Sequence, residues 1–372
     1  MAAHREMSFL PQALMSLGYF LGGFLLVCLP AVAADPSTAA LIEQGHYKRA
    51  QTILTERFKA NPNTARSYCE MSKISEAFHQ WDDAIRQAEK AAALDPKNAE
   101  FRAAVADAVG SKLSAGSMGV FEKMSLARRF KKEAELALQL DPNNIEANED
   151  LMEFHLDAPA ILGGDKKKAA ELADRMVRVN PVRGYLMKFE FASHEKHSAE
   201  LETLLQQAIS ADPKSYFART QAANFYLSKG EAGWAQVEER AKQAMQIDRG
   251  RAAAYTALAT LYAQQSRWRD LDAVLQDSQR EVPDDLAPFY QAAKTLLIGN
   301  QDQELPRAEK YVRHYLSQPP EGNEPSPAAA HWRLGLILEK EEHKDQARDE
   351  LREALRLEPS FEPATKDLKR LH

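Results

Sequence analysis

The residues best able to do chemistry are few. His194-Glu195-Lys196-His197 brings two imidazoles and a carboxylate into four positions. Two histidines that share a metal from one helix face need i, i+4 spacing. Here the spacing is i, i+3 at the expected end of a helix, so no metal site is expected. His155, His314 and His331 stand singly, without cysteine or carboxylate at ligand spacing, and read as packing or surface residues. Gly163-Gly164-Asp165 reads as a turn with a helix N-cap; a phosphate loop would need GxxxxGK[ST] after a strand. No G-x-S-x-G, Cys-His pair or glycine-rich dinucleotide loop is present, so neither catalysis nor a cofactor is expected. One charge pattern points to binding instead. Glu146, Glu149, Asp150, Glu153 and Asp157 recur at i, i+3, i+4, i+7, i+11, opposite the apolar stripe Ala147, Leu151, Phe154, Ala158. Such a ridge steers a cationic segment in a salt-sensitive way; the plain alternative is a solvated helix face.

The composition agrees with a folded protein held by apolar burial. Of 372 residues, 44% are hydrophobic and 27% charged, and only two are cysteine. The net charge of −6 provides no global positive field for a nucleic acid. Leu17 to Leu29 is an uncharged apolar run, preceded by Arg5 and ended by Pro30, with Ala31, Ala33 and Ala34 supplying an A-x-A cleavage site. Residues 1–34 are therefore expected to be a signal peptide, leaving residues 35–372 exported to the periplasm or beyond. An uncleaved anchor is the alternative, because the apolar stretch from Ala13 to Ala33 is nearly long enough to span a bilayer. Val27 before Cys28 argues against a lipid anchor there. Removal of the leader leaves Cys69 as the only thiol, expected as a buried apolar residue and unable to form an intramolecular disulfide.

The elements that position these residues follow from a repeat. Helix-like segments end in an acidic or amide residue and proline at Asn61-Pro62, Asp95-Pro96, Asp141-Pro142, Asn180-Pro181, Asp212-Pro213 and Glu358-Pro359; Asp248-Arg249, Val282-Pro283 and Pro319-Pro320 keep the same rhythm. One unit of about 34 residues with occasional insertions accounts for all of them. Residues 252–283 carry Tyr255, Leu258, Ala259 and Tyr262, then Trp268, Leu271 and Leu275, and close on Pro283. Residues 63–96 carry Tyr68, Met71, Ser72, Trp81, Ala84, Ala88, Ala91 and Pro96, and the last unit carries Leu334-Gly335, Ala347, Leu351 and Ala354. In these residues the unit resembles the tetratricopeptide repeat, W-x2-L-G-x2-Y, A-x3-F, P. Nine such units run from Asp35 to Pro359, followed by a closing helix from Glu362 to Leu371. An isolated helix pair cannot bury both apolar faces, so the pairs must stack. The resemblance implies an all-α, right-handed solenoid of antiparallel helix pairs. The Pro-rich segment Pro319 to Pro327 is the one candidate joint. Two insertions break the rhythm: Ser114 to Ser125, expected to lengthen a second helix whose basic face is solvated, and Asp157 to Lys168. The latter resembles an inter-helix insert of exported bacterial tetratricopeptide proteins of unassigned function.

The resemblance also implies that first helices line a concave groove. There the acidic ridge, with Glu100 and Asp107 near it, makes one stretch. Thr220, Gln221, Asn224, Thr256, Thr260 and Gln264 make an uncharged stretch suited to a peptide backbone. Tyr290, Gln291, Lys294, Trp332 and Arg333 make an aromatic and cationic end, with the core as the other place for Trp332. The Lys, Asn and Arg clamp by which chaperone-binding members grip a C-terminal carboxylate has no counterpart, since the matching faces offer Glu149, Glu153, Lys188, Thr220 and Asn224. The sequence thus reads as an exported, non-catalytic scaffold for a partner protein or peptide, with a small-molecule or lipid carrier enclosing an apolar cavity as the alternative.

Overall fold

The residues that end each unit stop a helix and start the next by local hydrogen bonding. Asn61, Asp141, Asp212 and Asp248 each have extended backbone just past a helix. Their side-chain oxygens accept from the amide two residues on, at 3.3, 2.9, 2.9 and 2.8 Å. These Asx turns carry the chain to the next N-cap, where Asn98, Asn144 and Ser215 each accept a first-turn amide.

The computed structural model describes residues 37–115, 118–299, 301–322 and 325–371; the expected leader, with Cys28, lies outside them. The described residues form helices and no strands, and none of these helices is long and apolar enough to cross a membrane. The first pair is α1 (Thr38–Gln44) with α2 (Tyr47–Ala60), the second α3 (Ala65–Ala77) with α4 (Trp81–Leu94), and the third α5 (Ala99–Ser114) with α6 (Val120–Leu140). Next come α7 (Ile145–Asp157) with α8 (Lys166–Val179), α9 (Pro181–His194) with α10 (Leu201–Ala211), and α11 (Tyr216–Leu227) with α12 (Trp234–Ile247). The last three are α13 (Ala252–Gln264) with α14 (Trp268–Glu281), α15 (Ala287–Ile298) with α16 (Leu305–Tyr315), and α17 (Pro327–Lys340) with α18 (Lys344–Leu357), closed by α19 (Glu362–Arg370). First helices also pack on one another, α3 on α5, α5 on α7, α11 on α13 and α13 on α15, and so form the inner row of the solenoid.

Within a pair the turn is of two kinds. In units one, two, five, seven and nine the first helix ends with a left-handed residue: Gly45, His79, Lys196, Ser266 and Glu342, with φ of 90, 57, 61, 55 and 65°. The following amide reaches back to the last turn, as His46 N to Leu41 O at 2.8 Å and Arg267 N to Tyr262 O at 2.9 Å. Units four, six and eight instead connect through a short 3₁₀ turn: Ala160–Leu162, Gly230–Gly233 and Asp302–Glu304.

The solenoid bends back on itself, which the sequence did not announce. The α1–α2 turn meets three successive inter-unit turns far along the chain. Gln44 donates to Asp248 at 3.2 Å. The buried His46 ring lies between Asp284 Oδ2 at 3.0 Å and the Gly250 carbonyl at 2.7 Å. Lys48 Nζ donates to the carbonyls of Asp284 and Pro319 at 2.9 and 2.7 Å, while its amide donates to Glu321 at 2.6 Å. Arg251 pairs with Glu43 at 3.0 Å. Both ring nitrogens of His46 face acceptors, so the protonated ring is favoured and its pKa is raised, by the Asp284 hydrogen bond first. The Pro-rich segment, expected as a joint, is instead anchored: Lys48 holds Pro319 and Glu321, and Tyr315 Oη donates to the Pro325 carbonyl at 2.5 Å.

Candidate functional site

The inner faces of α3, α5, α7 and α9 carry a wall of carboxylates. It comprises the ridge Glu146, Glu149, Asp150, Glu153 and Asp157 together with Asp107, Glu76 and Glu190. Three adjoining clefts run along it, of about 360, 540 and 690 Å³. The first two share Asp107 and Ser111; the second and third share Asp150, Glu153 and Asp157.

The ridge divides into paired and unpaired members. Glu146 accepts from Lys73 at 2.5 Å. Glu149 takes both ends of the Arg183 guanidinium, whose Nε lies at 2.6 Å from Oε1. Asp157 lies 3.3 Å from His194. Asp107, Asp150, Glu153 and Glu190 accept no hydrogen bond or ion pair from any described residue. Glu153 and Glu190 are open to solvent in the cleft, whereas Oδ2 of Asp150 is sealed from solvent.

Crowding and burial raise the pKa values of this wall. Glu76 is pushed up to about 9 by burial and then by the charge of Asp107, even though Ser111 and Ser72 donate to it. Asp107 is pushed up to about 6 by burial and then by Glu146, and Asp150 lies well above the usual range for burial and then Asp107. Glu190 rises to about 7, through loss of surrounding water first and the charge of Glu153 next. On the cationic side, burial opposes the charge of Lys73, but Glu146 more than restores it, so its pKa is raised. Burial and crowding therefore disfavour the ionised forms of these carboxylates.

Other residues expected to face a ligand have different places. Thr220 and Thr260 are buried, and their hydroxyls donate to carbonyls of their own helices, Phe217 at 3.0 Å and Thr256 at 2.8 Å. Thr256 likewise donates to Ala252 at 3.1 Å, while Asn224 is exposed. Tyr290 is a core residue whose ring lies tilted against Tyr315, with centroids 5.2 Å apart. Trp332 packs under α19, its Nε1 donating to Asp367 at 2.8 Å and its ring tilted on Phe361. Arg333 lies over the Trp332 and Tyr290 rings at 4.7 and 6.0 Å. Thr220, Thr260 and Tyr290 are thus corrected: they are buried inside the solenoid rather than facing a groove, whereas Asn224 and Gln264 are exposed. Glu100, too, leaves the acidic wall to pair with Arg66.

Sequence reasoning missed Glu76, Glu190 and the two cations. A signal for the cations was present. Side chains one repeat apart meet on neighbouring helices, as Arg66 with Glu100 and Arg183 with Glu149, both 34 positions apart. His194 ends α9 between Asp157 and Glu195, and among the described residues no three histidine, cysteine or acidic side chains gather as a metal site. Cys69 is buried, and burial pushes its thiol up to about 12.

Comparison with known proteins addresses the fold. Residues 328–361, the α17–α18 pair with its closing turn, match the tetratricopeptide repeat family model. No curated protein sequence matches the chain. Among solved structures, the chain is similar to yeast Tom70, at 14% identity over 90% of this chain and 79% of that one, with a TM-score of 0.46. A tetratricopeptide protein of Thermus thermophilus is similar at 14% identity over 50% and 92%, TM-score 0.44. One from Parabacteroides merdae is similar at 12% over 72% and 98%, TM-score 0.44. Residues 328–361 thus carry a tetratricopeptide repeat, and antiparallel helix pairs of the same kind stack before it.

Proposed function

We propose that this protein is an exported scaffold of the bacterial envelope that holds a cationic segment of a partner protein against the acidic wall of units two to five, without catalysing a reaction. The observation that supports this most directly is the set of carboxylates left without partners among the described residues, above all Glu153 and Glu190, which are open to solvent on adjacent first helices. Tetratricopeptide solenoids are generally non-catalytic scaffolds for protein contacts, which fits the coarser part of the reading. The apolar run Leu17 to Leu29 and the alanines after it support export.

The test is affinity capture from the envelope fraction with the wild-type chain and with Glu153→Gln/Glu190→Gln, which removes two carboxyl groups and none of the ion pairs among the described residues. A partner retained at low salt, released at raised salt and lost with the variant is the expected result. A partner held equally by both chains overturns the acidic-wall reading. N-terminal sequencing of the mature protein is expected to begin at Ala34 or Asp35; a chain still carrying Leu17 to Leu29 overturns the cleaved leader.

A further inference from the structure

The two insertions that break the repeat converge on one cavity. The middle cleft, of about 540 Å³, lies between α5, α6 and α7, within the range of roughly 300–1,000 Å³ typical of small-ligand pockets. From α6 it takes Val120, Lys123, Met124, Ala127 and Phe130, one stripe of a helix lengthened by the first insertion. Ala158, Pro159 and Leu162, from the second insertion, complete the apolar side. That second segment is pinned in place. His155 Nδ1 lies 3.1 Å from the Gly163 carbonyl, the Asp165 amide donates to the His155 carbonyl at 3.0 Å, and Asp165 caps α8. Any side chain at Gly164 would collide with the Ala158 carbonyl, its Cβ falling 1.7 Å from that oxygen. Gly110 on α5 similarly lets the Phe130 ring lie against the helix backbone.

The opposite side is acidic. Asp107 from α5 and Asp150, Glu153 and Asp157 from α7 line the same space, and Lys123, itself exposed, is the only cation among the lining residues. Among the described residues Asp107 and Asp150 have no hydrogen-bond partner, and the sealed Oδ2 of Asp150 is a buried acceptor left unsatisfied there. An orphan carboxylate oxygen of this kind is costly unless something donates to it. The apolar side continues outward through Val120, which is itself exposed, and the two insertions also carry Phe121 and Ile161, 89% and 92% exposed.

From the convergence of both insertions on a cavity with one apolar and one acidic side, we infer that this cavity is a binding site for an organic cation carried on an apolar body, an alkyl or aryl ammonium. The cation sits between Asp107 and Asp150, and the hydrocarbon lies along Met124, Phe130, Phe154 and Leu162. Neither inorganic cations nor fatty acids satisfy both sides: the first leave the apolar stripe empty, and the second bring a carboxylate to carboxylates. The cavity shares Asp107, Asp150, Glu153 and Asp157 with the acidic wall, so it is tested with no partner present.

Calorimetric titration of the mature chain with n-octylamine, against octanoate and 1-octanol, tests this without a partner present. The expected result is a single saturable site for octylammonium, at least about tenfold tighter than for either comparison ligand, as a charge-assisted hydrogen bond would give. Asp107→Asn/Asp150→Asn is expected to weaken octylammonium by at least about tenfold while leaving the helical circular dichroism intact, because it removes buried charge. Met124→Trp, which fills the apolar side, is a second variant expected to abolish binding with both carboxylates in place. Nα-acetyl-lysine methylamide separates the two sources of such a cation: weaker binding than octylamine marks a free amine as the ligand, and equal binding overturns the small-molecule assignment in favour of a partner's lysine. Equal affinity for all three octyl compounds, no saturable site, or indifference to the double Asn variant each overturns the proposal.

Discussion

Units two to five and units six to nine use the same helix pair for opposite ends. In the second group α13 and α15 lie against each other along their length, and α13 is buried on nearly every side. One continuous apolar cluster runs from Ala223 to Ala347 through Tyr255, Leu271 and Leu296. In the first group α7 and α9 touch at few points, the apolar clusters are smaller and separate, and the gap between the inner helices is a cleft lined by carboxylates. Where α13 closes on α15, a polar group such as Thr260 is satisfied within its own helix. Where inner helices stand apart, groups such as Asp150 and Glu190 are left for something else to satisfy.

The largest break in this comparison should come from pH. Raised carboxylate pKa values confer stability that is full at low pH and lost as pH rises through the folded-state values. Asp107, held at about 6 against an ordinary 3.8, completes its part of the loss near pH 6, and Glu76, at about 9, extends the loss upward. Urea midpoints of the wild type should therefore fall between pH 5 and pH 8. Those of Glu76→Gln/Asp107→Asn should fall much less; parallel curves would show that burial and crowding do not disfavour the ionised forms. Carboxylates held low by cations, such as Glu238 at about 2, titrate below this window.

Next in size is the contact between the two groups. His46→Ala leaves Asp284 and the Gly250 carbonyl without their shared donor, and is expected to cost about 2 kcal/mol. Amide exchange in α1 and α2 should accelerate selectively, and unchanged exchange there would mean that the contact is incidental. Because the His46 pKa is raised, this stabilisation is complete below pH 6.5 and fades as pH climbs past the folded value.

The smallest effect should be in the closed group. Thr220→Val and Thr260→Val remove hydroxyls that bond only to their own helices, so each should change stability by less than about 1 kcal/mol, and neither should alter partner affinity. Lost affinity in either variant would move the working surface out of the acidic group.

What could be read from the sequence was whatever is local or periodic. The Asp-Pro and Asn-Pro punctuation, the Gly163-Gly164-Asp165 cap and the acidic stripe of α7 are all set by residues within a turn or two of one another. The pairing of Glu149 with Arg183 was within reach too, since the repeat places residue i beside residue i+34. The fate of the threonines was not, because an exposed-face pattern on one helix says nothing of how closely the next helix approaches. Trp332 could not be placed until α19 was known to lie over it. Neither could the meeting of the two insertions, which depends on the long α6 crossing the end of α7.

The fastening of His46 and Lys48 to residues 204 to 273 positions away has a kinetic consequence. An open repeat array behaves as a chain of neighbours, in which any unit can fray with only the next to restrain it. Joining the first hairpin to units six, seven and eight turns that line into a loop, so its beginning can no longer fray by itself. The first hairpin also gains its partners late: α1 and α2 must wait for some two hundred later residues to fold before their polar turn is satisfied.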